Sequence, residues 1–438
     1  MPLTVQNAPA SIAARRAFLQ ALYDTAVRAV HPRLTLPALL PPPPAGRVLI
    51  LACGKAAGSM TEAAERHYRE QYGLGPDRLH GLAVARHGYE GHTSLIEVVG
   101  AGHPVPDQAG IAATERTLAL AASATADDLA VVLISGGGSA NWIAPAGQLD
   151  LAGKQAVTRA LLKSGADIGE INTVRKHLSR IKGGRLAALL APARIASFAI
   201  SDVPGDDPST IASGPTVPDA TTLADARAVL AKYGVPLAGE IGRLLADPGN
   251  ESPKPGDAAF AASDFTIVSR PADAIAAVER QVGAAGYALV SLGADIVGEA
   301  REVAAAHAAQ ALALRQQGKR AVLLSGGELT VTIRGEGNGG PNQEYALALA
   351  IALAGAPGIS ALAGDTDGTD GGHGLPSDPA GALIDETTLA RAATAGVSPQ
   401  LCLKNNDSTA FFAELGDLLQ PGPTLTNAND LRAIVIEP

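Results

Sequence analysis

The chain has 438 residues, more than one hydrophobic core usually supports, so two domains are expected. With 47% hydrophobic and 18% charged residues the composition is that of a globular chain and excludes a disordered one. A net charge of −9 argues against a nucleic-acid-binding face, and the two distant cysteines, Cys53 and Cys402, exclude a disulfide framework and a CxxC-type zinc site.

The first twenty residues lack the apolar core of a secretory signal, so a cytoplasmic protein without a membrane or nucleic-acid partner is expected. A helix is predicted over about Ser11–Val30, followed by the PPPPAG spacer at Pro41–Gly46. RVLILACGKAAGSM then runs from a continuous apolar strand through a glycine turn into a helix, the grammar of a buried-strand α/β unit. DLAVVLISGGGSA repeats it, with a helix from about Leu151 to Leu162, a second helix over INTVRKHLSRIKGGRLAALL, and RIASFAISDVPGDD as strand and loop. Strands alternating with helices predict a mainly parallel, Rossmann-like sheet with helices on both faces.

The polar, Pro- and Gly-rich DPGNESPKPGD segment reads as a domain boundary, which gives an N-terminal domain over 1–245, a linker over 246–257 and a smaller mixed α/β domain over 258–438. In the second domain FTIVSR, a helix to about Ala285, YALVSLGADI, an Ala-rich helix from about Glu299 to Gln317 and RAVLLSGGELTVTIRG continue the alternation. The uncharged run Tyr345–Gly364 reaches membrane-spanning length, but Gly355, Pro357 and Gly358 divide it into helix, turn and buried strand.

Ligands of open α/β sheets bind beyond the carboxyl ends of the strands, where the Gly-rich loops fall. Lys55 follows Gly54 at a strand-to-helix turn, where backbone amides favour an anion and the ammonium adds charge; a surface lysine after a turn glycine is the alternative. Ser135, Gly136, Gly137, Gly138 and Ser139 can curl consecutive amides around an anion, or form a tight turn. Between Ile171 and Ser201 there are six Lys or Arg residues and no acid. Helical spacing would put Asn172, Arg175, Lys176 and Ser179 on one face, where they would meet an anionic substrate or remain a solvated basic face. Asp202, Asp206 and Asp207 in one loop, and Asp365, Asp367 and Asp370 in another, can hold Mg²⁺, accept a hydroxyl proton or cap turns.

Two nucleotide motifs fail on inspection. Gly335–Gly340 matches GxGxxG, but the preceding LTVTIR alternates like a half-exposed antiparallel strand, and Glu336 would lie beside a pyrophosphate. No GxxxxGK[ST] occurs, because Lys55, Lys154 and Lys319 precede Ala, Gln and Arg.

The ordered set GKAAGSM, GAGHPVPD, LISGGGSA, INTVRKHLSRIKGGRLA, ISDVPGDDPSTIASGPT, SGGELTVTI, GGPNQEYALALA, AGDTDGTDG and NNDSTAFF resembles the glycerate 2-kinase family with its C-terminal MOFRL domain, here about 319–432. The resemblance implies two α/β domains with an active-site cleft between them, and phosphoryl transfer from ATP, with Mg²⁺ or a similar cation, to the 2-hydroxyl of D-glycerate. By matching positions it makes Lys55 the catalytic lysine and gives Asp365 and Asp367 catalytic or metal-binding roles. From the glycine loop, the helix-face spacing and the acidic loop, acceptor contacts are expected at the Ser135–Ser139 loop, Asn172, Arg175, Lys176 and Asp202. Nucleotide contacts then fall at Gly326, Gly327, Glu328, Gly339, Gly340, Asn342, Gln343 and Glu344. A monomer or homodimer is expected. Two positions depart from the family's pattern: Pro341 stands where arginine is common, leaving Arg334 or Arg175 to replace it, and Leu425 stands where glycine is usual. Family members also carry the label hydroxypyruvate reductase, so an NAD(P)H-dependent reductase and a non-catalytic carboxylate or nucleotide sensor are the alternatives.

Overall fold

The computed structural model describes residues 10–372 and 374–438. Apolar runs without a polar break become strands covered on both faces. In chain order these are β1 (Val48–Cys53), β2 (Leu79–Arg86), β3 (Glu97–Ala101), β4 (Leu129–Ile134), β5 (Arg194–Ile200) and β6 (Ser263–Ser269). They form one sheet in the order β3-β2-β1-β4-β5-β6, with every pairing parallel and Val48 of β1 opposite both Leu79 and Leu129. The strand order reverses beside β1, so the loops after β1 and β4 leave the sheet at its topological switch point.

The second sheet is mixed. After β7 (Ala288–Ser291) and the short β8 (Gly298–Glu299) come β9 (Ala321–Ser325), β10 (Leu329–Thr330), β11 (Ile359–Asp365), β12 (Gly381–Asp385), β13 (Leu418–Leu419) and β14 (Asp430–Ile436). The order is β13-β12-β11-β14-β9-β7, antiparallel except for β7 with β9. Period-two alternation assigns its faces: Leu323, Ala361 and Ile434 pack with helices Ala300–Gln316 and Pro341–Leu353, while Val322, Leu362 and Val435 pack with helices Ile12–Ala29 and Pro271–Ala284.

The chain divides into two compact units, one of Pro32–Ser269 and the other of the described residues through His31 together with Arg270–Pro438. This differs from the expected boundaries at both ends. Residues 258–269 stay with the first unit because β6 completes its sheet beside β5. The expected linker is fastened within that unit: Glu251 accepts from His177 at 3.0 Å, and Ser252 donates to Asp219 at 3.0 Å. At the N-terminus Leu19, Leu22, Tyr23 and Ala26 are buried against the second sheet, so the first helix belongs to the second unit.

Two further expectations are corrected. LTVTIR does not form an antiparallel strand; only Leu329–Thr330 is paired as a strand, in parallel with Gly298–Glu299. Beyond it, side chains capture the backbone, with Glu299 accepting from the Thr332 amide and Asn406 from the Arg334 amide. The predicted basic helix is two helices, Ile168–His177 and Arg185–Leu190, so Ser179 lies outside the face it was assigned to. Ser179 instead bridges Pro145, and its hydroxyl accepts from the Ile181 and Lys182 amides. Among the described residues no helix is long and apolar enough to cross a membrane.

Candidate active site

In the Pro32–Ser269 unit, the loops after β1 and β4 are built against one another. The Lys55 amide donates to the Gly136 carbonyl at 2.8 Å, and the Ala56 amide donates to the Ser135 hydroxyl at 2.9 Å. Gly54 permits this approach, since a Cβ there would lie 2.4 Å from the Ser135 carbonyl oxygen. Gly137 has φ +83°, and a Cβ on it would stand 2.8 Å from His103 Cδ2 and 3.4 Å from Lys55 Cγ. The lysine and the imidazole therefore flank the glycine loop. The Gly136 and Gly137 amides donate to no protein acceptor among the described residues, which leaves them available to an anion.

Gly138 packs on buried Cys53, whose thiol pKa is pushed up by burial, so this cysteine is a packing residue. Ser139 hydrogen-bonds Ser213 at 2.9 Å, and Ser213 donates to Asn172 at 3.4 Å. Ala212 and Ser213 hold left-handed backbone at φ 49° and 63°, a strained conformation for non-glycine residues that often accompanies functional loops. Asp202 is half-buried two residues beyond β5.

The basic segment is resolved residue by residue. Lys176 is buried and paired with Asp219 at 3.3 Å, so it meets an internal carboxylate rather than the outward anion expected of it. Arg175 is half-buried, and among the described residues its guanidinium has no protein acceptor. Lys182 is buried and donates to the Ser139 carbonyl at 2.7 Å, the Ser139 hydroxyl at 3.1 Å and the Trp142 carbonyl at 3.0 Å. Burial, aided by the positive charge of Arg175, brings its pKa down to about 7.

Lys182, His103, Ser213 and Lys154 were not singled out in the sequence as site residues. Lys154 was nevertheless legible as unusual: with Val157 and Leu161 it occupies the buried stripe of its helix.

In the second unit the helix Pro341–Leu353 carries three of the expected nucleotide contacts, and all three are turned inward. Asp370 accepts from the Asn342 amide at 3.0 Å and the Gln343 amide at 2.8 Å, so an internal carboxylate fills the anion seat of this helix N-terminus. Asn342 also donates to Asp430 at 2.7 Å, while Glu344 takes Arg301 at 2.6 Å and Asn406 at 2.9 Å. Gly340 caps the helix and Pro341 occupies its first turn, where a missing N–H costs nothing. Pro341 thus starts the helix cleanly in place of the family's arginine.

The GxGxxG loop is similarly committed. Its amides at Gly335, Glu336, Gly337 and Asn338 donate to Asn406, Asn405, Asn405 and Asp407. These amides are therefore not available to cradle a pyrophosphate. At the end of β9, the Gly326 and Gly327 carbonyls accept from Arg432, and Glu328 is exposed. Within the acidic loop Asp367 is buried and accepts from the Thr369 amide and hydroxyl, whereas Asp365 is half-buried and accepts from the Asp367 amide at 2.9 Å. Among the described residues no group of three His, Cys, Asp or Glu side chains is placed to hold a metal.

A doubly wound parallel sheet, with a lysine and open glycine amides at its switch point, defines an α/β protein. Comparison then gives the family. Residues 18–246 match a domain of unknown function (DUF4147), and residues 321–430 match the MOFRL family. A putative hydroxypyruvate reductase of Agrobacterium vitis is 45% identical over 96% of this chain and 94% of its own length. A D-glycerate 2-kinase of Thermotoga maritima is 39% identical, with 93% of each chain covered. The crystal structure of a glycerate kinase from Thermotoga maritima superposes with a TM-score of 0.84 at 36% identity, over 97% of this chain and 100% of that one. The chain belongs to the glycerate 2-kinase family that combines these two regions.

Proposed function

We propose that the protein transfers the γ-phosphoryl group of ATP to the 2-hydroxyl of D-glycerate, giving 2-phosphoglycerate and ADP. The observation that carries this reading is the joining of Lys55 to the Ser135–Ser139 loop, which brings the lysine side chain alongside Gly137 and the open amides of Gly136 and Gly137. Phosphoryl transfer depends mainly on positioning and on neutralising charge over the transferred group, and this loop pair supplies both. In this reading the amides and Arg175 hold the acceptor, and Lys55 stabilises the transferred phosphoryl charge. Asp202 helps orient the acceptor hydroxyl. The Gly326–Glu328 and Gly339–Gly340 loops serve the nucleotide, with Asn342, Gln343 and Glu344 supporting the second of these from within.

A divalent cation fits the donor set in a limited way. Mg²⁺ usually keeps several waters and takes one or two carboxylates together with substrate phosphates, and half-buried Asp365 suits that role, with Asp367 shaping the loop beneath it. When bound, the ion would neutralise phosphate charge.

The name of the Agrobacterium vitis relative favours a reductase as the second reading. The committed amides of the Gly335–Gly340 loop weigh against it, because a dinucleotide would have no open cradle there.

The test is a coupled ADP-release assay with ATP, Mg²⁺ and D-glycerate, with enolase added without a mutase. ADP release and direct enolase coupling are expected. Loss of reduced nicotinamide absorbance with hydroxypyruvate, and no ADP release, would replace this reading with the reductase.

A further inference from the structure

A cavity of about 170 Å³ in the Pro32–Ser269 unit adjoins Ser139 and has an unusual lining. Four cations reach it, Lys154, Arg159, Arg175 and Lys182, and none of the residues lining it is acidic. Among the described residues none of the four is ion-paired. Lys154 and Lys182 are buried, Arg175 is half-buried and Arg159 is exposed; buried cations are ordinarily matched by carboxylates, so a lining without any suits an anion from outside. Lys182 directs its ammonium at Ser139 and Trp142, and Lys154 hydrogen-bonds the Leu178 carbonyl at 2.5 Å; burial lowers the pKa of both, and an anion in the cavity would favour their charged forms. Arg175 retains its fork of donors, the group suited to grip a carboxylate.

Beside the polar Ser139, Gln155 and Thr158, part of the wall is hydrocarbon: Val105, Ile143, Leu151 and Leu162 line the same space, and Val105 and Leu162 are 63% and 60% exposed. Water over such a surface is displaced at a gain by an apolar group. Glycerate, with hydroxyls on both carbons beyond its carboxylate, has nothing to lay there.

We propose that this cavity is an organic-acid site, with a carboxylate gripped by Arg175 among the other cations and a hydrocarbon tail lying on Val105, Ile143 and Leu162. The proposal rests on the acceptor reading above only in choosing hydroxy acids as the class. The protein accordingly accommodates 2-hydroxy acids with tails longer than that of glycerate.

The experiment is isothermal titration of the whole protein with unbranched D-2-hydroxy acids, from 2-hydroxypropanoate to 2-hydroxyhexanoate. Kd should fall by about fourfold per added methylene until the wall is covered. Arg175→Met should weaken every acid by about tenfold or more, and Leu162→Glu, at an exposed position that leaves the core intact, should abolish the gain from the tail. A Kd that does not change along the series, or a tail gain kept in Leu162→Glu, overturns the proposal. ADP release with D-glycerate on the same preparations reports separately on the kinase reading. Its absence with the tail dependence intact leaves the cavity assignment standing, and its presence with a flat series removes that assignment alone.

Discussion

The ammonium of Lys182 sits 2.7 Å from the main-chain carbonyl of Ser139, tying the basic segment to the last residue of the glycine loop. A buried lysine solvated only by carbonyls and a hydroxyl loses hydration that those acceptors replace in part, which is why its pKa falls to about 7.

That shift sets a direction for stability with pH. In the unfolded chain a lysine titrates near about 10.4, so between pH 7 and 10 the unfolded state binds more protons at this site than the folded state does. Lys182 therefore makes the protein more stable as pH rises through that window. Urea unfolding at pH 7 and pH 9 should show a smaller rise for Lys182→Met than for the parent; equal rises would mean that the lysine is not titrating there.

Asp370 gives the opposite sign. Burial pushes its carboxyl up to about 7, the charge of Asp430 adds to this, and the Asn342 and Gln343 amides oppose it. The folded state then binds more protons than the unfolded state from about pH 4 to pH 7, and this site's contribution to stability is lost as pH rises through 7. Asp370→Asn should flatten the fall in stability between pH 5 and pH 8, measured as the change in urea midpoint. It should also lower stability at pH 5 by about 1 kcal/mol, because one of the two capping acceptors is lost.

Lys55 is half-buried and carries no core packing, so Lys55→Ala should leave the melting temperature within a few degrees of the parent. ADP release with D-glycerate should fall by about 10²–10³-fold, the usual loss when a group stabilising transition-state charge is removed. Turnover near that of the parent would remove Lys55 from the mechanism.

Leu425 holds φ +59° where the family commonly places glycine. Left-handed backbone costs a non-glycine residue about 1 kcal/mol, and a β-branched side chain costs more. Denaturant midpoints should rank Leu425→Gly above the parent and the parent above Leu425→Val, with steps of about 1 kcal/mol; a parent more stable than Leu425→Gly would show that the leucine side chain outweighs the strain.

Much of the architecture was legible along the chain. VLILAC and LAVVLI are apolar on every residue because parallel strands are buried on both faces, and a helix entered through a glycine turn placed Lys55 and Ser135–Ser139 at carboxyl ends of strands. The signals for strand, glycine turn and helix lie within a few neighbouring residues, so local pattern determined these elements, although the pairing of β1 with β2 and β4 is long-range. The unit boundary did not follow local composition: the Pro-rich segment looks like a linker but is pinned by His177 and Asp219, whose partners lie more than thirty residues away. Only the tertiary structure decided that Asp370 fills the helix N-terminus at Asn342, and that Lys176 turns to Asp219 while Arg175 does not. It likewise gathered Lys154 and Lys182 beside Arg175. The physical reason is that a sequence states which groups carry charge, whereas burial and the partner each group meets determine whether that charge is spent inside the protein or left for a ligand.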